Sequence, residues 1–317
     1  MSAAVSVETA ARLHFGVLDL RGERGRWFGG IGAAAPGPTL LVSASRAATL
    51  TAEGPDADRA AEFAAKFLRA RGLDGGAEIV VHRALPPHAG LGSGTQLGLA
   101  VARALAELYA VDTDTRALAH AVGRGRRSAI GTWTFDGGGL VVEGGKRRDS
   151  DGCGPLLTRL PFPESWRCVV AVPTAAPTVS GQAEATAIAQ LPAPPEREVE
   201  RVSHLVLLSL LPALADADLT AFGAALTELQ QVTGQWWASV QGAAFAPGIT
   251  QELVQRMAEW GASGVGQSSW GPTVYGIVEG DAAGAALAAR VRERLGPSGE
   301  VYEGPFRSAG ARVWRTS

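Results

Sequence analysis

One stretch limits the possible folds more than any other: "AEIVVHRALPPHAGLGSGTQLGLAVARALAEL", residues 77–108. A β-branched run is followed by a loop rich in glycine, and then by Leu97, Val101, Leu105 and Leu108 at three- and four-residue spacing. That order predicts a strand, a glycine loop and a helix from about residue 95 to 109. The start of a helix leaves backbone N–H groups unpaired and gathers partial positive charge. Glycines placed there remove the Cβ atoms that would hold an anion away. Gly90, Leu91, Gly92, Ser93, Gly94, Thr95 and Gln96 are therefore candidate phosphate-binding residues, with hydroxyl and amide groups from Ser93, Thr95 and Gln96. A glycine turn that caps a helix and holds no ligand is the plainer alternative. No lysine follows the glycines as a Walker loop needs, and their G-x-G-x-G spacing is not the dinucleotide fingerprint G-x-G-x-x-G.

The rest of the composition narrows the ligand. The chain has 317 residues, 46% of them apolar, which supports one large or two ordinary domains with a sizeable core. Net charge is −2 with no block of like charges, so neither nucleic acid nor an anionic membrane surface is indicated as a partner. The greasiest run, "LVLLSLLPALA" (205–215), is too short to span a bilayer, and "MSAAVSVETA" carries no export signal; a cytoplasmic protein is expected. Cys153 and Cys168 lack metal-ligand spacing and read as a loop and a strand cysteine. Lys66 and Lys146 are the only lysines, which leaves little for a Schiff base, and no pyridoxal phosphate is expected. Gly accounts for 41 residues, about twice the usual ~7% share, and the copies cluster as they would at several close backbone approaches to a ligand.

Along the chain, "VSVETAARLHFGVLDL" reads as strand, turn and strand, followed by the Gly-rich "GRWFGGIGAAAPG" and a further strand near "TLLVSASRAATL". Ala60, Phe63, Ala64, Phe67 and Leu68 share a helical face, with Asp56 or Asp58 as cap and Gly72 as stop. A second helix is expected at about 113–123, a buried strand at "WRCVVAVP" (166–173), and a linker at "LPAPPERE" (191–198). Helices follow at about 198–212, 216–237 and 248–261. Then come a Gly/Ser loop "GASGVGQSSWGP", a strand "TVYGIV", a helix and a last strand near "ARVWRT".

"PPHAGLGSGTQ" resembles the phosphate loop of the GHMP kinase superfamily, with Gly94-Thr95-Gln96 where the kinases carry serine and alanine. Together with "ARLHFGVLDL", "GRGRRSAIGT" and "GVGQSSWGPTVYGIV", that variant resembles a non-kinase branch, the β-ribofuranosylaminobenzene 5'-phosphate synthases of methanopterin biosynthesis. The four blocks run from residue 11 to 278. The resemblance implies an α+β, two-lobed GHMP kinase-like fold. Its N-terminal lobe (1–190) would be ribosomal protein S5 domain 2-like and its C-terminal lobe (191–317) ferredoxin-like. Superfamily kinases place a catalytic aspartate in a Ser-Gly-Ile-Asp segment, whereas here Ser128-Ala129-Ile130-Gly131 has glycine at that position. Asp136 could substitute only in a rebuilt loop, which disfavours phosphoryl transfer from ATP.

The reaction implied joins phosphoribosyl pyrophosphate to 4-aminobenzoate or 4-hydroxybenzoate, releasing carbon dioxide and pyrophosphate, with Mg²⁺ and without ATP. On the family pattern Arg12, His14 and Asp19 are the candidate catalytic residues, Arg12 and His14 sharing one face of a strand. Candidate substrate-binding residues are Arg26, the basic cluster Arg124, Arg126, Arg127 with Ser128, and Gln267, Ser268, Ser269 and Trp270. Trp236 and Trp237 are expected to anchor the core or an interface. No metal ligands are assigned, and a homodimer is implied. An ATP-dependent small-molecule kinase and a non-catalytic phosphosugar-binding protein are the competing readings.

Overall fold

The computed structural model describes residues 4–150, 152–174, 186–188 and 190–316. Its first sheet has the order β12-β1-β2-β4-β3, with a branch through β5 to β7. β1 (Ala4–Asp19) and β2 (Arg26–Ala47) are long antiparallel partners; β3 is Thr51–Glu53, β4 Gly76–Arg83 and β5 Leu140–Glu143. A short β6 (Lys146–Arg147) pairs with the start of β2, and β7 is Leu156–Leu160. The expected break inside residues 5–20 is absent: β1 is continuous, and the chain bends at register shifts between Ala10 and Arg12 and between His14 and Gly16. β2 likewise absorbs the Gly-rich stretch. Small residues Gly30, Gly32, Ala33 and Ala34 let it pair with β1 on one side and β5 on the other, and a Cβ on Gly32 would stand 2.3 Å from the Leu13 carbonyl.

Four helices back this sheet: α1 (Ala57–Arg71), α2 (Ser93–Leu108), α3 (Thr115–Ala121) and α4 (Ile130–Gly137). Ala60, Phe63, Ala64, Phe67 and Leu68 are all buried, as their spacing predicts, and Gly72 ends α1 in a left-handed conformation. Asp56 precedes α1 without a capping bond, because its carboxylate is held by Arg59 at 3.0 Å. α4 has no apolar periodicity that would announce it; "IGTWTFDG" is helical because Ile130, Thr134 and Phe135 are buried against the neighbouring elements.

β8 (Trp166–Pro173), β9 (Gly264–Gln267), β10 (Val274–Glu279) and β11 (Gly299–Pro305) form a second, antiparallel sheet in the order β11-β8-β10-β9. The chain then returns to the first sheet as β12 (Arg312–Thr316), beside β1. The expected boundary at residue 190 is therefore not the division between the sheets, since β8 lies before it and β12 after β11. β9 occupies residues read from sequence as a loop; glycines at 264 and 266 sit where Gly223 and Gln230 approach too closely for a side chain.

The helices of this half are α5 (Glu196–Leu205), α6 (Leu211–Ala215), α7 (Leu219–Trp236), α8 (Ala238–Gln241), α9 (Ile249–Glu259) and α10 (Asp281–Leu295). A π-helical turn, Val206–Leu210, joins α5 to α6. β8 is buried on both faces, which explains its unbroken apolar run. Val169 and Ala171 meet Leu253, Met257, Leu287 and Val291 on one side, while Cys168, Val170 and Val172 belong to the main core with Phe222 and Leu226 on the other. That main core runs through both sheets and seats α7 against β1, and the open space between the two is the cleft.

Candidate active site

The cleft, of about 310 Å³, lies in the range of small-molecule sites and draws its wall from both halves of the chain. At one end stands the N-terminal turn of α2. Gly92 adopts φ +75° and its carbonyl accepts from the N–H groups of Thr95 and Gln96 at 2.9 and 3.0 Å. A Cβ on Gly94 would come within 2.7 Å of Arg59 Nη2 and 2.9 Å of Arg124 Nη2. Two guanidinium groups thus lie directly over a helix start, in the space the missing side chain leaves.

Arg124, Arg126, Arg127 and Ser128 all line the cleft, with Thr95 opposite. Arg124 stacks over the Phe63 ring at 4.9 Å, and its Nε–H is buried without a hydrogen-bond partner. Burial, then the charges of Arg59 and Arg127, pull its pKa down. Arg59 is itself paired with Asp56 at 3.0 Å, and Glu62 partly offsets the repulsion that Arg59 and Arg127 exert on Arg124. Arg59 was not legible in the sequence as a site residue: it sits at the outset of an ordinary amphipathic helix, and only the packing of α1 on α2 brings it to the loop.

Arg12 and His14 face the cleft from β1 as their spacing predicts. Arg12 donates to the Gly90 carbonyl through Nη1, and its own N–H donates to the Leu91 carbonyl at 3.1 Å. The His14 side chain is buried. Desolvation, then the Arg12 charge, lowers its pKa to about 3, so the imidazole is neutral at physiological pH. A proton-carrying His14 is thus not a property of the ligand-free protein; an anion seated nearby would raise that value.

The depressed pKa also has a consequence for stability. Unfolded, His14 takes a proton near pH 6.5, whereas folded it resists down to about pH 3. The unfolded state binds more protons in that window, so stability present above pH 6.5 is lost as pH falls through it, by up to about 5 kcal/mol across the whole window. Urea unfolding of wild type and His14→Gln between pH 7 and pH 4 should show a slope shallower by nearly one proton in the variant.

Several other sequence-predicted residues serve the scaffold. The Asp19 carboxylate accepts from the N–H groups of Arg21 and Gly22 at 2.6 and 3.1 Å, capping the turn after β1, and lies outside the cleft lining. Arg26 is exposed and donates to the Gly145 carbonyl at 2.9 Å, also away from the cleft. Leu91 is a core side chain. Gln96 is fully buried, accepting from the Thr9 hydroxyl at 2.7 Å and donating to the Gly131 carbonyl at 2.9 Å; its amide ties α2 to β1 and α4. Ser93 opens α2 as its first residue. Ser268 accepts from the His14 N–H at 2.9 Å and donates to the Gly90 carbonyl at 2.7 Å, a clasp between β1, the glycine loop and the second sheet.

Gln267, Ser269 and Trp270 do reach the cleft, and Ser269 does so with a left-handed φ of 54°. Trp270 packs edge-on against Trp237 at 4.9 Å between ring centroids. Trp237 lines the cleft, contrary to the expectation of a core anchor; Trp236, the preceding residue, is buried and donates to Glu198 at 2.8 Å. Beneath the arginine loop lies Glu143, another residue the sequence did not single out. It is buried and accepts from the N–H groups of Ala129 and Gly145 at 3.2 and 2.7 Å, and desolvation raises its pKa to about 7.

Gly131, which follows Ser128-Ala129-Ile130, leaves a side chain little room. A Cβ on Gly131 would meet Thr95 Cγ2 at 3.1 Å and Gln96 Nε2 at 3.5 Å. Asp136 cannot stand in, for its carboxylate is bound by Thr115 and Arg159 at 2.8 and 3.0 Å and does not line the cleft. Among the described residues no group of three or more His, Cys, Asp or Glu side chains is arranged to hold a metal ion, and no helix is long and apolar enough to cross a membrane.

Known proteins place this geometry. The pattern of the GHMP kinases N terminal domain matches residues 58–136, and that of the GHMP kinases C terminal domain matches 210–296. A protein of Methanothermobacter thermautotrophicus named beta-ribofuranosylphenol 5'-phosphate synthase is 35% identical, over 94% of this chain and 95% of its own. The protein of that name from Archaeoglobus fulgidus is also 35% identical, over 88% and 89%. Among solved structures, a homoserine kinase of Cytophaga hutchinsonii superposes with a TM-score of 0.69 at 16% identity, covering 98% of this chain and 97% of its own. Mevalonate kinase of L. major does so at 0.67 and 16%, over 95% and 96%. The structural likeness at such low identity concerns the fold alone.

Proposed function

This chain belongs to the β-ribofuranosylphenol 5'-phosphate synthase family, built on the GHMP frame, and on that premise we propose that its cleft joins phosphoribosyl pyrophosphate to a 4-substituted benzoate with loss of carbon dioxide. The observation that carries this reading is the pair Arg59 and Arg124 over the start of α2 at Gly94. A helix N-terminus with two guanidinium groups suits a polyanionic leaving group, which gathers negative charge as it departs. The bond from ribose C1 to pyrophosphate oxygen breaks there. The ring carbon bearing the carboxylate then bonds to C1, and the electrons of the departing carboxylate restore aromaticity as carbon dioxide is released.

Of the two acceptors considered, 4-aminobenzoate and 4-hydroxybenzoate, the relatives' names favour the second, because a ribosylphenol is what decarboxylation of the hydroxy acid would yield. Magnesium enters this reading as the donor's own counter-ion, held on the substrate phosphates. The kinase reading has against it a glycine, with no acidic group, at position 131 and the engaged Asp136. Neither ATP nor pyridoxal phosphate has a part in the proposed chemistry. A cytoplasmic setting is in keeping with two free thiols, and a homodimer with the exposed Leu207 and Leu208.

Incubation with phosphoribosyl pyrophosphate, Mg²⁺ and carboxyl-labelled 4-hydroxybenzoate, without ATP, should release labelled carbon dioxide and pyrophosphate in equal amounts. Donor binding with release of neither would make the chain a phosphosugar-binding protein. Release only on addition of ATP would restore the kinase reading.

A further inference from the structure

We infer that Trp237, Trp270 and Gln241 form the seat of the acceptor ring, and that the Gln241 carbonyl oxygen selects acceptors with a hydrogen-bond donor at the 4-position. The inference rests on the proposed reaction for the identity of the ring, and on the cleft wall for its place. Trp237 and Gln241 are one helical turn apart: the Gln241 N–H donates to the Trp237 carbonyl at 3.0 Å, so both project from the same side of α8. Both line the cleft, and Trp270 closes the corner edge-on to Trp237. Two indoles at such an angle offer a flat apolar face to a benzoate ring without filling the space themselves.

The hydrogen bonds around Gln241 decide which group it presents. Its Nε2 donates to the carbonyls of Ala243 and Ala244, both at 2.8 Å. Carbonyls only accept, so the amide can lie only one way, and both its donors are engaged. Its Oε1 receives a single long bond, 3.3 Å from Gln267 Nε2. A carbonyl oxygen has two lone pairs, so acceptor capacity remains at this atom. The neighbouring amides offer less. Gln267 accepts from the Ala246 N–H at 2.7 Å and donates to the Ser269 carbonyl at 2.9 Å, while Gln230 donates to the Phe15 carbonyl and accepts from the Gln267 N–H. The aromatic corner therefore ends in an acceptor. A phenol O–H or an aniline N–H satisfies it, whereas an ether or a halogen brings a second acceptor against it. With the para group at Gln241, the ring carboxylate is left to face the basic end of the cleft, where the ribosyl carbon would arrive.

The test compares 4-hydroxybenzoate with 4-fluorobenzoate by titration calorimetry, in the presence of inorganic pyrophosphate and Mg²⁺. Wild type should bind the hydroxy acid about 10-fold more tightly, the worth of one neutral hydrogen bond. In Gln241→Met the preference should fall to about 1-fold, the fluoro acid keeping its affinity and the KM for phosphoribosyl pyrophosphate its value. Trp237→Phe, which keeps a ring at the position, should retain the preference but lose part of the quenching of indole fluorescence on ring binding, Trp270 supplying the remainder. A preference that persists in Gln241→Met, or quenching unchanged in Trp237→Phe, overturns the inference while leaving the reaction intact. Binding that obeys both expectations in a protein that releases no carbon dioxide would instead overturn the reaction and keep the ring seat. Should Gln241→Met not fold, the wild-type ratio decides: equal affinity for the two acids overturns the inference, and a 10-fold preference lost in Gln241→Leu supports it.

Discussion

Arg124→Ala is expected to lower kcat/KM for phosphoribosyl pyrophosphate by about 10²- to 10³-fold, the usual loss when one preorganised donor to developing negative charge is removed. The guanidinium stands over Gly94 with its charge made costly by burial and by Arg59 and Arg127. A charge held in that way strengthens as the leaving group gathers electrons, so kcat should fall along with donor affinity, while the KM of the benzoate stays near its wild-type value. Arg59→Ala should act on the same step. Because both guanidiniums address one anion, their effects should not add: the double variant is expected to lose less than the product of the single losses, by 1 kcal/mol or more, about the range seen for residues sharing a partner. Steady-state kinetics of the four proteins measures this directly. A donor KM that rises in Arg124→Ala with kcat unchanged would make the arginine a ground-state contact only. Lys in place of Arg124 should recover little, since the flat, forked geometry and the stacking on Phe63 are lost with it.

The part of the site that was legible in the sequence is the part made by local order. Strand, glycine loop and helix at 77–108 require only periodicity and the steric freedom of glycine, and α2 begins within two residues of the expected position. Arg12 and His14 share a face because strand residues two apart do so. What escaped is made by distant packing. Arg59 looks like any surface arginine until α1 lies on α2. Trp237 differs from its buried neighbour Trp236 only in the side of the helix it occupies, and both stand at the end of α7, where a helical pattern gives no warning. Gln96, Asp19 and Ser268 carried polar groups in the right blocks, yet each is spent on tying the frame together: polar side chains near a site are as often its frame as its chemistry. The same limit explains the misplaced breaks in β1 and β2. A register shift bends a strand without ending it, and small residues needed for close pairing look, in sequence, like a loop.

The frame itself should be most sensitive at Gly90. Its φ is +75°, and a Cβ there would lie 2.1 Å from the Ser268 carbonyl oxygen and 3.2 Å from that of Gly271, both backbone atoms. Gly90→Ala therefore meets two penalties at once, about 1–2 kcal/mol for an alanine in the left-handed region and about 1–3 kcal/mol for overpacking against groups that cannot swing aside. Gly72 provides the comparison, with φ +59° at the end of α1 and nothing within 4 Å of its would-be Cβ. Gly72→Ala should lose only the first penalty, so the difference between the two variants in urea unfolding isolates the clash. The consequence for function follows from what the Gly90 carbonyl holds. It accepts from Arg12 and from the Ser268 hydroxyl, and Ser268 in turn receives the His14 N–H. Pushing the loop away from Ser268 breaks this clasp and moves the start of α2 relative to β1, and with it the anion site relative to the ring seat. A reaction that needs both substrates in near-attack geometry loses rate steeply with such a shift. Gly90→Ala is accordingly expected to lose activity by 10²-fold or more even at temperatures where it remains fully folded, whereas Gly72→Ala keeps wild-type activity. If Gly90→Ala unfolds no more readily than Gly72→Ala, the loop can relax away from Ser268 at little cost, and the clasp is not what fixes the helix start.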